Sequence, residues 1–328
     1  MFLLSKYFMN YANFFQDLFK KLGFEVHVEH NAFRVPYHPS TAWPLRLPNV
    51  EFKDNTILFL HFQDFITVRD GRIVELDLVA DHYGDRANQI VVMHWPHAMH
   101  RYYQGPINLI EFNLHEYNIL KNLHRRWPEW QHMFDRPHTH AWQCLNGRMC
   151  PHRHQVKEIL QHWSNGILSY HDQIPLPEWA YSTYRGTENE DNFIRLINVY
   201  GSCSVNIVTE TQYDSAPGII TEKTIMAMLA EQIPIVIGYP GIVADCKELG
   251  FDMFDDVVDT SYDQLPNDVR AINAVQLNQD LIQGHIDLSP YRQRLRAQRE
   301  FLLDDYPTIM EIRFQRDCEQ LISKLNFL

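Results

Sequence analysis

Residues 204–238, SVNIVTETQYDSAPGIITEKTIMAMLAEQIPIVIG, constrain the fold of this chain more than any other stretch. They read as a strand over 205–208, a loop, a helix opening at Thr221-Glu222-Lys223, and a second strand over 233–237. A nearly continuous apolar run such as IPIVI belongs in a parallel sheet that is covered on both faces. Strand, helix and strand in alternation give an α/β fold, and ligands of such sheets bind at the carboxyl ends of the strands. Glu210 directly follows one strand and Glu222-Lys223 opens the next helix, so both face one crevice. Thr221 is placed to cap that helix, and Thr224, standing where a capping box needs Glu or Gln, means there is no box. A lysine in a first helical turn meets the positive end of the helix dipole, which is unfavourable unless an anion lies beside it. That points Lys223 at a phosphate and the neighbouring carboxylates at sugar or ribose hydroxyls. The plainer alternative is a pair of solvated first-turn residues.

A chain of 328 residues is long for one core and implies two domains. In the first part, Tyr11, Phe14, Phe15, Leu18, Phe19 and Leu22 form a helical stripe that Gly23 can end. Alternation at Phe24, Val26 and Val28 and the runs TILFLH, QIVVMH and INLIEF read as strands, followed by a helix over 114–127 that Pro128 stops. DRPHTH, with no apolar period, is the expected linker. Beyond it come a strand over 141–145, a helix from Pro151, a strand over 167–170, the 204–238 unit, a helix over 242–249 and a short strand at Val257-Val258. The terminal helix, about 309–325, carries Ile312, Leu321 and Ile322 as its expected apolar face. The expected domains are 1–137, 138–305 and a terminal helix over 306–328.

A formal net charge of −12 disfavours non-specific coating of nucleic acid or an anionic membrane. The N-terminus is interrupted by Lys6, Asn10, Asn13 and Gln16, and it lacks a basic leader, so it reads as neither a signal peptide nor a membrane span. Five cysteines show no secreted-framework spacing, which fits a reducing cytoplasm. The histidines cluster at His94-Trp95-Pro96-His97 and His138-Thr139-His140, and none of the spacings, including Cys144, Cys150, His152 and His154, is a usual zinc pattern. No metal is expected.

The stretch 204–241 resembles the donor-binding motif of the alpha-1,3-fucosyltransferase-like glycosyltransferases of the GT-B fold. That pattern runs F-E-N, then Y-(I/V)-T-E-K, a helix, and a (V/I)-P-(I/V)-x-x-G strand; here Thr221-Glu222-Lys223, Ile233-Pro234-Ile235 and Gly238 fall at its spacing. The resemblance covers about 40 residues closely. It implies two Rossmann-like lobes with a cleft between them, a terminal helix returning to the first lobe, and a viral or bacterial member acting in the cytoplasm or that of its host. It also implies a nucleotide-diphosphate sugar (UDP- or GDP-linked) as donor, no further cofactor, and Lys223 on the diphosphate with Glu222 on ribose or sugar. WQCLNGRMCPHR stands where the family carries a turn and a helix-opening arginine that neutralises the donor phosphates, a part that falls to Arg153 with Asn146 and Arg148 lining the turn. Ile219 replaces the family's aromatic before T-E-K and Thr211 the Asn of F-E-N, so the resemblance carries the reaction class and not the nucleotide or sugar.

Inverting transfer to a glycan hydroxyl requires a carboxylate base. Asp64, after the TILFLH strand, is the first choice, with Asp81 and Asp85 as alternatives; Glu210 is a second catalytic candidate, and His94 and His97 are candidates on the acceptor side. Arg292, Arg296 and Arg299 share a helical face, which reads as a solvated helix or as a track for a phosphate backbone. The track would make the acceptor a hydroxymethylated DNA base. A catalytically silent sugar-binding protein of the same fold is the third reading.

Overall fold

The computed structural model describes residues 20, 25–33, 47, 49–54, 56–62, 68–69, 72–94, 99–134, 137–184, 191–214, 216 and 218–325. The chain divides into two compact units, Met1–Asn113 with Glu311–Leu328, and Leu114–Met310. Each holds a four-stranded parallel sheet, as an α/β pattern of alternating elements requires.

In the first unit, β1 (Glu25–Phe33) and β2 (Thr56–Phe62) precede a small hairpin of β3 (Val68–Arg69) and β4 (Arg72–Ile73). Helix α1 (Val74–Tyr83), β5 (Ile90–His94) and β6 (Asn108–Glu111) follow. The sheet order is β1-β2-β5-β6. Alternate residues of β2 and β5, Leu58 with Leu60 and Ile90 with Val92, share one core with Leu76 and Val79, which lie three apart on α1. The Gln89 amide donates to the carbonyls of Lys53 and Thr56 at 2.6 and 2.9 Å, tying together the amino ends of β2 and β5.

The second unit runs α2 (Leu114–Arg126), β7 (His140–Asn146), α3 (Pro151–Leu160), β8 (Gly166–Tyr170), β9 (Cys203–Thr209), α4 (Glu222–Leu229) and β10 (Ile233–Ile237). Then come α5 (Ile242–Glu248), α6 (Asn267–Leu277), α7 (Arg292–Glu300) and the start of α8 (Tyr306–Leu325), whose residues from Glu311 on belong to the first unit. Its sheet order is β10-β9-β7-β8. The chain therefore steps outward from β7 to β8, then returns to the other side of β7 to lay down β9 and β10. Such a reversal leaves a crevice at the carboxyl ends of the two strands that flank it, here β7 and β9. Every residue of β10 is buried, and Pro234 is tolerated because this is an edge strand that needs no donor on its open side. The Tyr262 hydroxyl covers that edge, donating to Val236 O at 2.9 Å.

Four expectations change. The units divide at 113/114 and not at 137, because Phe134 stacks on Phe193 and Trp127 lies under Arg299, so the aromatic end of the 114–134 segment belongs to the second core. Val257-Val258 is no strand: both amides return to the Phe254 carbonyl and close a turn. On α8 the buried stripe is Met310, Phe314, Cys318 and Leu321, a run at helical spacing that leaves Ile312 61% exposed. Helix α1 is an addition that the runs of apolar residues did not signal. Apart from Lys20, the expected helix over 11–22 lies outside the described residues. No helix among the described residues is long and apolar enough to cross a membrane.

Candidate functional site

The reversal in the second sheet is closed by side chains from both strands. Asn146, the last residue of β7, accepts from the Thr209 hydroxyl at the end of β9, and its amide donates to Cys144 Sγ at 3.1 Å. Burial pushes the Cys144 thiol up to about 12, so this sulfur stays protonated and is a packing group. Past Asn146 the chain turns and enters α3 with Pro151 in the first turn, where a missing N–H costs nothing.

The second and third residues of α3 point back across the reversal. His152 Nε2 lies 2.9 Å from the Glu210 carbonyl, and burial with the nearby Arg153 charge lowers its imidazole to about 4. A neutral ring whose Nε2 donates to a carbonyl keeps its Nδ1 as an acceptor. Arg153 is only 1% exposed; it donates to the carbonyls of Thr209 at 3.0 Å and Arg148 at 3.4 Å, and its Nε has no partner among the described residues. No carboxylate among the described residues lies within ion-pair distance of it. A buried guanidinium held only by carbonyls keeps most of its charge uncompensated.

Glu210, immediately beyond β9, is 0% exposed. One carboxylate oxygen accepts from the Thr221 amide at 3.0 Å and the Thr224 hydroxyl at 2.6 Å; the other accepts from the Thr221 hydroxyl at 2.5 Å and lies 4.0 Å from Lys223 Nζ. The Thr221 hydroxyl in turn caps α4, accepting from the Lys223 amide. Glu210 thus does from eleven residues upstream what a capping-box carboxylate does locally, and the absence of Glu or Gln at 224 is explained: Thr224 is a donor to it. This corrects the expected role of Glu210. With both oxygens engaged and no exposed surface, it holds the start of α4 and is not poised as a ligand for sugar hydroxyls.

The same contacts resolve the unfavourable cation at the helix start. Lys223, 28% exposed, has Glu210 and Glu222 carboxylates at 4.0 and 3.8 Å, and Nζ donates to the hydroxyls of Thr211 and Thr221, each at 3.3 Å. Two protein anions offset it, so the helix-dipole argument alone does not demand a phosphate.

Beside these groups lies an open cleft of about 310 Å³. Its walls come from His152 of α3, Thr211, Tyr213 and Asp214 of the loop after β9, and Asn267 and Asp268 at the start of α6. The His152 and Tyr213 rings stack at 4.4 Å and 7°. Arg270, fully buried, lies over the Tyr213 ring at 4.3 Å and donates to Tyr213 O and Leu265 O; its Nε, like that of Arg153, is unpartnered among the described residues. The charges of Arg153, Arg270 and Lys223 all act on His152 and all disfavour its protonation.

The structure thus brings Asn146, Arg153, Glu210, Thr221, Glu222 and Lys223 to one end of one sheet. Arg148 is exposed in the turn and contributes its carbonyl to Arg153. Asp81 is exposed on the last turns of α1, which lead to the amino end of β5, so it sits at the wrong edge of its sheet for a strand-end base; Asp85 follows in the next turn. His94 closes β5, and Asp64 and His97 lie outside the described residues. The arginine track is also corrected: Arg299 is mostly buried and paired with Glu231, which removes it from a phosphate-binding face, while Arg292 and Arg296 are exposed.

Tyr213, Asp214, Asn267, Asp268 and Arg270 were not singled out from sequence, and His152 was weighed there only as a zinc ligand. The Pro-Asn-Asp at 266–268 is a legible helix start, but nothing in it reveals a partner some 50 residues upstream. No protein-family model matches the chain, and no curated protein matches it either.

Proposed function

We propose that the chain is a glycosyltransferase of the GT-B type that takes a nucleotide-diphosphate sugar at the carboxyl edge of the second sheet. The observation that carries this reading is the convergence of Arg153, Arg270 and Lys223 on one buried imidazole at the strand reversal, with both buried guanidinium groups lacking a carboxylate at ion-pair distance among the described residues. A reversal in a parallel sheet is where such folds place nucleotides, and arginine grips phosphate oxygens through its planar fork. The resemblance of 204–241 to the fucosyltransferase-like donor motif supplies the reaction class.

In the proposed step the acceptor hydroxyl oxygen attacks the anomeric carbon as the bond to the diphosphate oxygen breaks. Charge builds on the leaving diphosphate, where Arg153 and Lys223 stabilise it, and the acceptor proton passes to a carboxylate. Asp64 is the base to test, by Asp64→Asn. Glu210 acts as a positioning residue, fixing the first turn of α4 that carries Lys223.

The test is a thermal-shift panel of UDP-, GDP- and CMP-sugars on the wild type and Lys223→Ala, with nucleotide release measured alongside. At least one diphosphate donor should raise Tm as a ligand at 100 times its Kd does, by about 2.7 kcal/mol of stabilisation, and Lys223→Ala should lose most of that shift. No shift with any donor, or an equal shift in Lys223→Ala, contradicts the phosphate site. Binding with no release under any acceptor would make the chain a silent sugar binder.

A further inference from the structure

The cleft beside His152 offers a ligand mainly acceptors. Its two rings are stacked on each other, and Asp214 and Asp268, both exposed, come from different elements to line the same space. Asn267, next to Asp268 in the chain, donates to Asp214 O at 3.0 Å and Asp214 Oδ1 at 3.5 Å, so the loop after β9 is pinned to the start of α6. The Tyr213 hydroxyl reinforces this by donating to Asn267 O at 2.6 Å. Thr211, also in the wall, accepts from Lys223 Nζ, placing that cation one hydroxyl away from the cleft.

Carboxylates only accept, and two of them beside a cationic group suit a ligand that pairs hydroxyl donors with a nearby phosphate. A volume of about 310 Å³ is at the small end for ligand cavities, the size of part of a nucleotide sugar and not the whole. We infer that this cleft binds the ribose of the donor nucleotide, with Asp214 and Asp268 accepting from its vicinal 2′- and 3′-hydroxyls while the diphosphate runs past Thr211 toward Lys223 and Arg153. The inference rests on the nucleotide site proposed above and reassigns Glu222, which the family resemblance put on ribose or sugar, to the sugar alone. It makes the protein select ribonucleotides over deoxyribonucleotides whatever the base.

Calorimetric titration of UDP and GDP against their 2′-deoxy and 3′-deoxy forms tests it, on the wild type and on Asp214→Ala/Asp268→Ala. The wild type should bind the better ribonucleotide about tenfold more tightly than either deoxy form, the worth of one good hydrogen bond. The double variant should still bind but with a ratio near one. Equal affinity for ribo and deoxy forms in the wild type overturns the inference without need of any variant and leaves the phosphate site standing. So does a ratio that survives in the double variant. If neither nucleotide binds the wild type, the nucleotide site itself is wrong and the inference falls with it.

Discussion

The sheet of the first unit adds its strands in one direction, β1, β2, β5 and β6, whereas that of the second turns back after β8 and grows from the other side of β7. Both are parallel and both are packed with the same aliphatic residues. In the first, Gln89 ties β2 to β5 at the amino edge, and Lys53 pairs with Glu25 on the surface. The second carries a buried polar network at each edge: Gln232, just before β10, donates to Cys203 O and accepts from Gln143 and Asn206, while Asn146, Arg153, Thr209 and Glu210 meet at the carboxyl edge across the reversal. Topology decides where the second unit's carboxyl-edge cluster forms. Where a chain leaves two adjacent parallel strands in opposite directions, no crossover fills the space between them, and the loops on either side can furnish a site. An apolar sheet alone does not.

The comparison breaks most directly at Glu210. Glu210→Ala strips the acceptor from an amide and two hydroxyls and removes one of the two carboxylates beside Lys223, so it should cost about 3–5 kcal/mol in urea unfolding. Glu25→Ala, which removes the solvent-exposed partner of Lys53 at the first unit's amino edge, should leave stability nearly unchanged. If the two variants are equally stable, the carboxyl edge of the second sheet is not the organised centre described here. Next in size is Arg153→Met, which fills the volume but removes the uncompensated charge. It should weaken nucleoside diphosphate binding by about 100-fold, the equivalent of two to three kcal/mol for a charge-assisted contact, while the unfolding midpoint falls little.

Acid gives an effect with a definite sign. The unfolded His152 imidazole takes a proton near pH 6.5, but the folded one only near 4, because burial and the Arg153 charge oppose protonation. The depressed value means that this stability is whole above pH 6.5 and is lost as the pH falls through 4, by about 3–4 kcal/mol in total. His138, lowered by burial and Arg292, adds in the same direction. His152→Phe should flatten most of the slope in urea midpoints between pH 7 and 4.5; an unchanged slope would place the sensitivity elsewhere.

Much of this site could be read along the chain because its parts are local. IPIVI announces a buried strand, Pro151 a helix start, and Thr221-Glu222-Lys223 the first turn where the cap was found. What escaped is what folding brings together over distance. Glu210 looked like a ligand because it ends a strand, yet its three donors lie eleven and fourteen residues on and turn it into a cap. Asn267 and Asp268 join the cleft only because α6 packs beside α3. Ile312 was misassigned because apolar character alone does not choose a face; the stripe of Met310, Phe314, Cys318 and Leu321 does. Arg299 looked like part of a basic surface until Glu231, 68 residues earlier, took it inward.

The central claim is that the reversal between β7 and β9 holds a nucleoside diphosphate. Hydrogen exchange with and without UDP or GDP measures it most directly, amide by amide. The account predicts that ligand protects amides at the first turns of α3 and α4 and in residues 209–214, and leaves β1, β2, β5 and β6 of the first unit unchanged. Protection centred on the first unit's strands, or none at α3 and α4 at saturating nucleotide, would contradict it.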